Sequence, residues 1–296
     1  MEAWIWFTLL AATMQAVRTA AQKTLAAHIS PMTATLVRYL FGLPFVLAYL
    51  RLVGPADTAA AVSQLSENST FIIYATLGSV AQILATVWLI KALGYRNFAV
   101  GTSFAKTEAL QTAVFGAVFF AASLSPFGWI AVMLGVAGTL VVSLPQPGKP
   151  AELPCAAYGI LAGTGFAVTS LWLREASLSL PYSFVQNAAL TLAAMVSLQT
   201  VICLLYTLIR QPDELLQLRH RLPIAIFIGA ASAMGSVGWY TAMTYNNPAL
   251  VKSLGQVEFL LTLAISVFVF KERITARELL GMLTIIASVV IVLLLA

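Results

Sequence analysis

Residues 95–112 read YRNFAVGTSFAKTEALQT, and residues 245–262 read YNNPALVKSLGQVEFLLT. The two stretches align without a gap at a shift of 150 residues. Tyr95 meets Tyr245, Asn97 meets Asn247, Ser103 meets Ser253, Glu108 meets Glu258 and Thr112 meets Thr262. From Tyr95 to Pro145, about eleven of fifty-one positions are identical. The same shift sets Pro31 against Pro181 and Thr19 against Thr169. One offset that persists along the chain predicts an internal duplication, with halves at 1–145 and 154–296.

The surroundings of these stretches say where the halves reside. The chain has 296 residues, 60% hydrophobic and 9% charged, with a mean hydropathy of +0.91. A soluble domain carries roughly 25% charged residues, so this composition points to a polytopic membrane protein. A spanning helix needs about 20 mostly apolar residues. Ten segments fit: 3–22, 31–52, 70–92, 97–121, 126–144, 154–174, 182–209, 222–243, 248–270 and 276–295. Prolines 31, 126, 181 and 248 mark helix starts, where a missing N–H costs nothing. The expected fold is all-α and integral to the membrane. Five segments per half is odd, so the second half must enter from the opposite side. The halves are therefore inverted repeats, a common carrier plan with the substrate site between them near the midplane. Small-residue pairs, Gly159 with Gly163 and Ala231 with Gly235, permit close helix contact.

Sidedness follows from basic residues. The odd-numbered loops hold Lys23, Lys91, Arg96, Lys149, Arg210, Arg219, Arg221, Lys271, Arg273 and Arg277, and the even ones hold Arg51 and Arg174. The positive-inside rule places the odd loops in the cytoplasm and both termini outside a cell (inner or plasma) membrane. The start, MEAWIWFTLLAA, reads as a first membrane helix rather than a removed signal. The net charge of +5 then reflects loop residues and not nucleic-acid binding. Two cysteines give neither a disulfide framework nor a metal spacing, and no cofactor is expected.

Charges within the segments point to a site. A charge at the bilayer centre costs about 2.5–3.5 kcal/mol or more and faces protein or a polar cavity. Lys106 and Glu108 sit roughly 15 Å into the fourth segment, and two residues apart they point about 200° apart. They are not a simple local pair. Glu258 has the equivalent depth in the ninth. Thr102 shares a face with Lys106, and Lys252 with Gln256. Gln15, Arg18, Thr19 and Gln22 follow helical spacing on the first segment, and Thr35, Arg38 and Tyr39 on the second. The partners of the arginines at the shift are Val168 and Ala188, so the arginines belong to one half alone. Trp239 offers a ring to stack on a planar molecule, or serves only in helix contact. Four cations (Arg18, Arg38, Lys106, Lys252) against two anions (Glu108, Glu258) favour a carboxylate or other anionic cargo over a cationic drug. The plainer alternatives are that Arg18 snorkels to the interface and that Arg38 braces helices. Each glutamate, likewise, could bond backbone or a lysine across the bundle.

The stretch VEFLLTLAISVFVFKERITARELLGMLTIIASVVIVL, with Glu258, Glu272, Arg273 and Gly281, resembles the drug/metabolite transporter superfamily and its EamA-type ten-helix carriers. Glu108 matches the helix glutamate in the first half. Ala121, Ala122 and Ser123 stand where the family's loop acid is expected, and Ala109 and Phe259 where a proline often follows the glutamate. Arg38 is similar to a common arginine of the family's second helix. The resemblance covers essentially the whole chain. It implies a carrier and not an enzyme; with the charge count and the inverted repeats, the expected activity is export of a small polar metabolite such as an amino acid or organic acid by alternating access.

Substrate contacts are then expected from Gln15, Arg18, Arg38, Tyr39, Thr102, Lys106, Lys252, Gln256 and Trp239. Glu108 and Glu258 are candidates to carry a coupling proton. Partners would be the lipid bilayer, the substrate and a coupling ion, in a monomer or homodimer. Efflux of cationic compounds is the alternative within transport. An intramembrane enzyme is the alternative outside it, although no H-E-x-x-H or G-x-S-x-G is present.

Overall fold

The computed structural model describes residues 2–26, 28–94, 104–143, 153–261 and 275–295. Among these residues the chain is helical and contains no strand. The helices are α1 (Ala3–Ala26), α2 (Pro31–Leu40), α3 (Leu43–Val53), α4 (Thr58–Leu65), α5 (Ser69–Leu93), α6 (Glu108–Phe119) and α7 (Pro126–Ser143). There follow α8 (Leu153–Leu178), α9 (Phe184–Arg210), α10 (Pro212–Leu218), α11 (Leu222–Tyr245), α12 (Pro248–Gly255) and α13 (Ala276–Leu294). Five stretches are long and apolar enough to cross a membrane: Pro31–Val53, Ser69–Leu93, Leu153–Leu178, Phe184–Arg210 and Leu222–Tyr245. Large apolar side chains such as Leu52, Val118, Leu205 and Ile209 face outward, as they do where the solvent is lipid. Positions 95–103 and 262–274, which include Thr102, Glu272 and Arg273, lie outside the described residues.

Three expected continuous helices are interrupted. The second segment breaks at Phe41–Gly42 between α2 and α3. Pro44 explains this, because its ring clashes with the carbonyl one turn back and it has no N–H to donate. At the shift of 150 its counterpart is Ala194, and α9 runs unbroken there. The break fits against α11, where a Cβ at Gly229 would lie 2.4 Å from Phe41 C. The fourth segment turns at Lys106 and Thr107, and the ninth at Gln256. Both turns tighten to a three-residue step: Thr107 N–H donates to Phe104 O and Gln256 N–H to Ser253 O. Helix resumes at Glu108 in one half and at 257–261 in the other. The connections after the second and seventh segments, 53–69 and 210–221, hold the short helices α4 and α10. Arg174, placed by sequence in a loop, lies within α8. Its Nη1 donates to the Met243 carbonyl at 2.6 Å and to that of Asn246, closing the C-terminus of α11.

Helix contacts repeat at the shift. α1 runs antiparallel to α11, with Met14 beside Gly235 and Phe7 beside Gly238. Its counterpart is α8 against α5, with Gly165 beside Ala85 and Trp172 beside Gly78. α7 lies antiparallel to α13: Gly138 abuts the Gly281 carbonyl, and Ser288 Oγ donates to the Ala131 carbonyl at 2.7 Å. These last two contacts exchange under the shift of 150.

Clasps at the two ends of the α2–α3 stretch repeat as well. At the start of α2, Ser30 donates to Glu214 Oε2 (N–H, 3.0 Å) and to Gln211 Oε1 (Oγ–H, 2.6 Å). Beyond the end of α3, Tyr182 Oη donates to Gln64 Oε1 at 2.8 Å, Asn68 Nδ2 to the Ser179 carbonyl at 3.0 Å, and Gln186 Nε2 to the Gly54 carbonyl at 3.5 Å. Glu214 and Gln64 are partners at the shift. The 23 residues Pro31–Val53, with their one break, run between the clasps.

Glycine makes the closest crossings possible. A Cβ at Gly238 would sit 2.5 Å from Phe7 O, and one at Gly138 would sit 2.8 Å from Gly281 O. Gly238→Ala and Gly138→Ala are each expected to lower unfolding stability in detergent by about 1–3 kcal/mol. An unchanged midpoint for both would mean that these crossings are looser than described.

Candidate functional site

The two matching interruptions bring four charges to the boundary between the halves. Lys106, in the turn before α6, reaches across to Glu258 in the other half, with Nζ 2.5 Å from Oε2. Lys252, in the last turn of α12, reaches back to Glu108, again at 2.5 Å. The four side chains are between 11% and 18% exposed. The glutamates correspond at the shift of 150, whereas the lysines are displaced by one helical turn, yet each spans to the opposite carboxylate. Local dipoles favour the placement: Glu108 opens α6 and Lys252 closes α12. Thus Lys106 and Glu108 are tolerated near each other because each finds its partner in the other half.

Gln15 of α1 ties this network to α11. Its Nε2 donates to Glu258 Oε2 at 3.0 Å, and its Oε1 accepts from Trp239 Nε1 at 3.0 Å. The Trp239 ring receives Lys252, whose Nζ lies 4.2 Å from the ring centroid. That position depends on Gly255, where a Cβ would come within 2.4 Å of the indole.

Beside the ion pairs is a cavity of about 30 Å³, lined by Arg18, Arg38, Gln82, Trp239, Tyr240 and Lys252 among others. This is roughly the space of one water. Arg18 is 4% exposed and does not snorkel to an interface. Its Nε has no hydrogen-bond partner among the described residues. Arg38 donates from Nη1 to Thr86 Oγ1 at 3.0 Å and lies over the Tyr39 ring at 5.2 Å.

The nine expected contact residues therefore divide. Gln15, Arg18, Arg38, Trp239 and Lys252 line one cavity. Lys106 lines a second, adjoining void with Gln15 and Glu108. Gln256 borders that void too, but its Oε1 accepts from Thr139 of α7 at 3.1 Å, which makes it mainly a helix contact. Tyr39 faces a different void with Ser232 and Ser236. Sequence reasoning missed Gln82, whose Oε1 accepts from Gln199 Nε2 at 2.7 Å and from Tyr240 Oη at 3.1 Å. A glutamine inside each of two apolar spans was the available signal.

A sequence model of the EamA-like transporter family matches residues 2–144 and again 153–294. A solved structure described only as "Crystal structure of protein" is similar over 99% of this chain and 96% of its own, with a TM-score of 0.71 and 16% identity. At that identity the likeness speaks to fold alone. Among curated proteins none matches. The chain belongs to the EamA-like transporter family, and with its apolar helices it is a multi-pass membrane protein.

Breaking one buried pair leaves a charge without compensation. Lys252→Met is expected to lower stability by about 3–5 kcal/mol, and adding Glu108→Gln should restore most of it. Thermal unfolding of the single and double variants measures this. Additive losses would show that the two groups do not interact.

Proposed function

We propose that this EamA-family protein is a secondary carrier that exports a small polar metabolite, an amino acid or organic acid, by alternating access. Its frame would be ten membrane-spanning helices in two inverted five-helix repeats, 1–145 and 154–296, in a cell membrane with both termini outside. The observation that carries the reading is the pair of interruptions at 106–107 and 256, which hold the ion pairs beside a small cavity. Discontinuous helices at corresponding positions of two halves are how carriers build a midplane site. Antiparallel contact between α7 and α13, exchanged under the shift, supports an axis in the membrane plane.

Opening would part the halves at one clasp while the other stays shut. Because each half supplies one lysine and one glutamate to the crossing pairs, such motion must stretch them. A carboxylate on the cargo could take the place of a glutamate on a lysine, and a proton could neutralise the glutamate released. This gives Glu108 and Glu258 a role in coupling. Efflux of a cation fits less well, since both carboxylates already hold lysines.

Purified protein in liposomes should show saturable counterflow of its cargo, whereas a channel would show linear flux. Glu258→Gln is expected to abolish uphill accumulation driven by a pH gradient while keeping exchange within about threefold of the parent. Intact uphill accumulation in both Glu258→Gln and Glu108→Gln would remove the carboxyls from coupling.

A further inference from the structure

We infer that the Arg18–Arg38 cavity is a binding site for a small dianion, a dicarboxylate or a phosphate monoester, and that it rejects zwitterionic amino acids. This rests on the carrier reading and narrows its cargo. Lys106 with Glu258 and Lys252 with Glu108 cancel in charge. Among the described residues, that leaves two guanidinium groups on the cavity wall that form no ion pair of their own, although the charge of Glu258 is felt by Arg18. Both are buried, at 4% and 5% exposure, and the Arg18 Nε is unbonded among the described residues.

Burying like charges without compensation is costly, and the fold does not require it. The corresponding positions, Val168 and Ala188, are apolar. Two negative charges on the cargo balance the pair, and guanidinium forks suit carboxylate and phosphate oxygens. A zwitterion would bring an ammonium group for which the described lining offers no free carboxylate. Gln15, Gln82 and the Trp239 ring share the same wall.

The test uses the full-length protein in detergent, with thermal unfolding read against succinate, glycerol 3-phosphate, acetate, alanine and tetraphenylphosphonium. At least one dianion should raise the midpoint at a concentration tenfold or more below that needed for acetate or alanine. Arg18→Gln should abolish that shift, with an unliganded midpoint equal to or above the parent's, because an unpaired charge is removed. Arg18→Lys, which keeps the charge and loses the fork, should fold and weaken dianion binding about tenfold. The inference fails if neither dianion shifts the midpoint, if alanine or the cation is the stronger ligand, or if both Arg18 variants keep the parental shift. Counterflow separates this from the carrier reading. Saturable flux of another solute without dianion binding sinks the inference alone. Dianion binding without counterflow of any solute sinks the carrier reading alone.

Discussion

A charged group in hydrocarbon must be matched by an opposite charge or enclosed by polar groups, and four buried charges set the form of this protein. Each lysine finds its carboxylate in the other half. Neither half could bury its own charges in this way by itself, so the duplication is physically useful only when both copies meet. The pairs draw the break before α6, the end of α12 and, through Gln15 and Trp239, helices α1 and α11 to one point. Removing the positive charge at that point while leaving the negative one would be worse than removing both.

Around this centre the scaffold is nearly symmetric and its contents are not. Glycines at 138, 229 and 238 let backbones touch, and the clasps at Ser30 and Tyr182 close the two ends, sharing one corresponding pair, Glu214 and Gln64. The exceptions are few. Pro44 bends only the first half, Gly255 makes room for an indole, and both arginines come from α1 and α2. In the proposed carrier, a symmetric frame would allow two end states of similar energy, while an asymmetric interior would give a cargo a defined orientation.

Much of the fold was legible in the sequence because a duplication leaves an alignment and a membrane leaves long apolar runs. The offset of 150 that pairs Glu108 with Glu258 also pairs the helix contacts. The breaks at Lys106–Thr107 and Gln256 were not legible. Neither contains proline, and periodicity averages over a single tight turn. The partners of the lysines were left open between cargo and glutamate, because side-chain reach across two halves depends on how deeply the helices interlock. Arg174 was misplaced for a related reason: a basic residue near a helix end reads as loop until the carbonyls of α11 are seen beside it. Gln82 escaped notice as a lone amide, though burial makes its hydrogen bonds obligatory.

The central claim is that the small cavity opens to one side at a time as the halves part. It is tested most directly with a reporter cysteine at Ser170, a buried residue on the cavity wall, in a protein whose native Cys155 and Cys203 are buried. One bifunctional-maleimide cross-link is placed across the first clasp (Ser30→Cys with Gln211→Cys), and in a second protein another across the opposite clasp (Gln64→Cys with Tyr182→Cys), the tip-to-tip hydrogen bonds there leaving the Cβ atoms too far apart for a disulfide. Labelling of Ser170→Cys by a membrane-impermeant thiol reagent is then measured from each side of sealed vesicles. The account predicts that each lock confines labelling to the side opposite its own clasp, so that the two proteins label from opposite sides. Labelling from the same side in both, or from both sides in either, would contradict it.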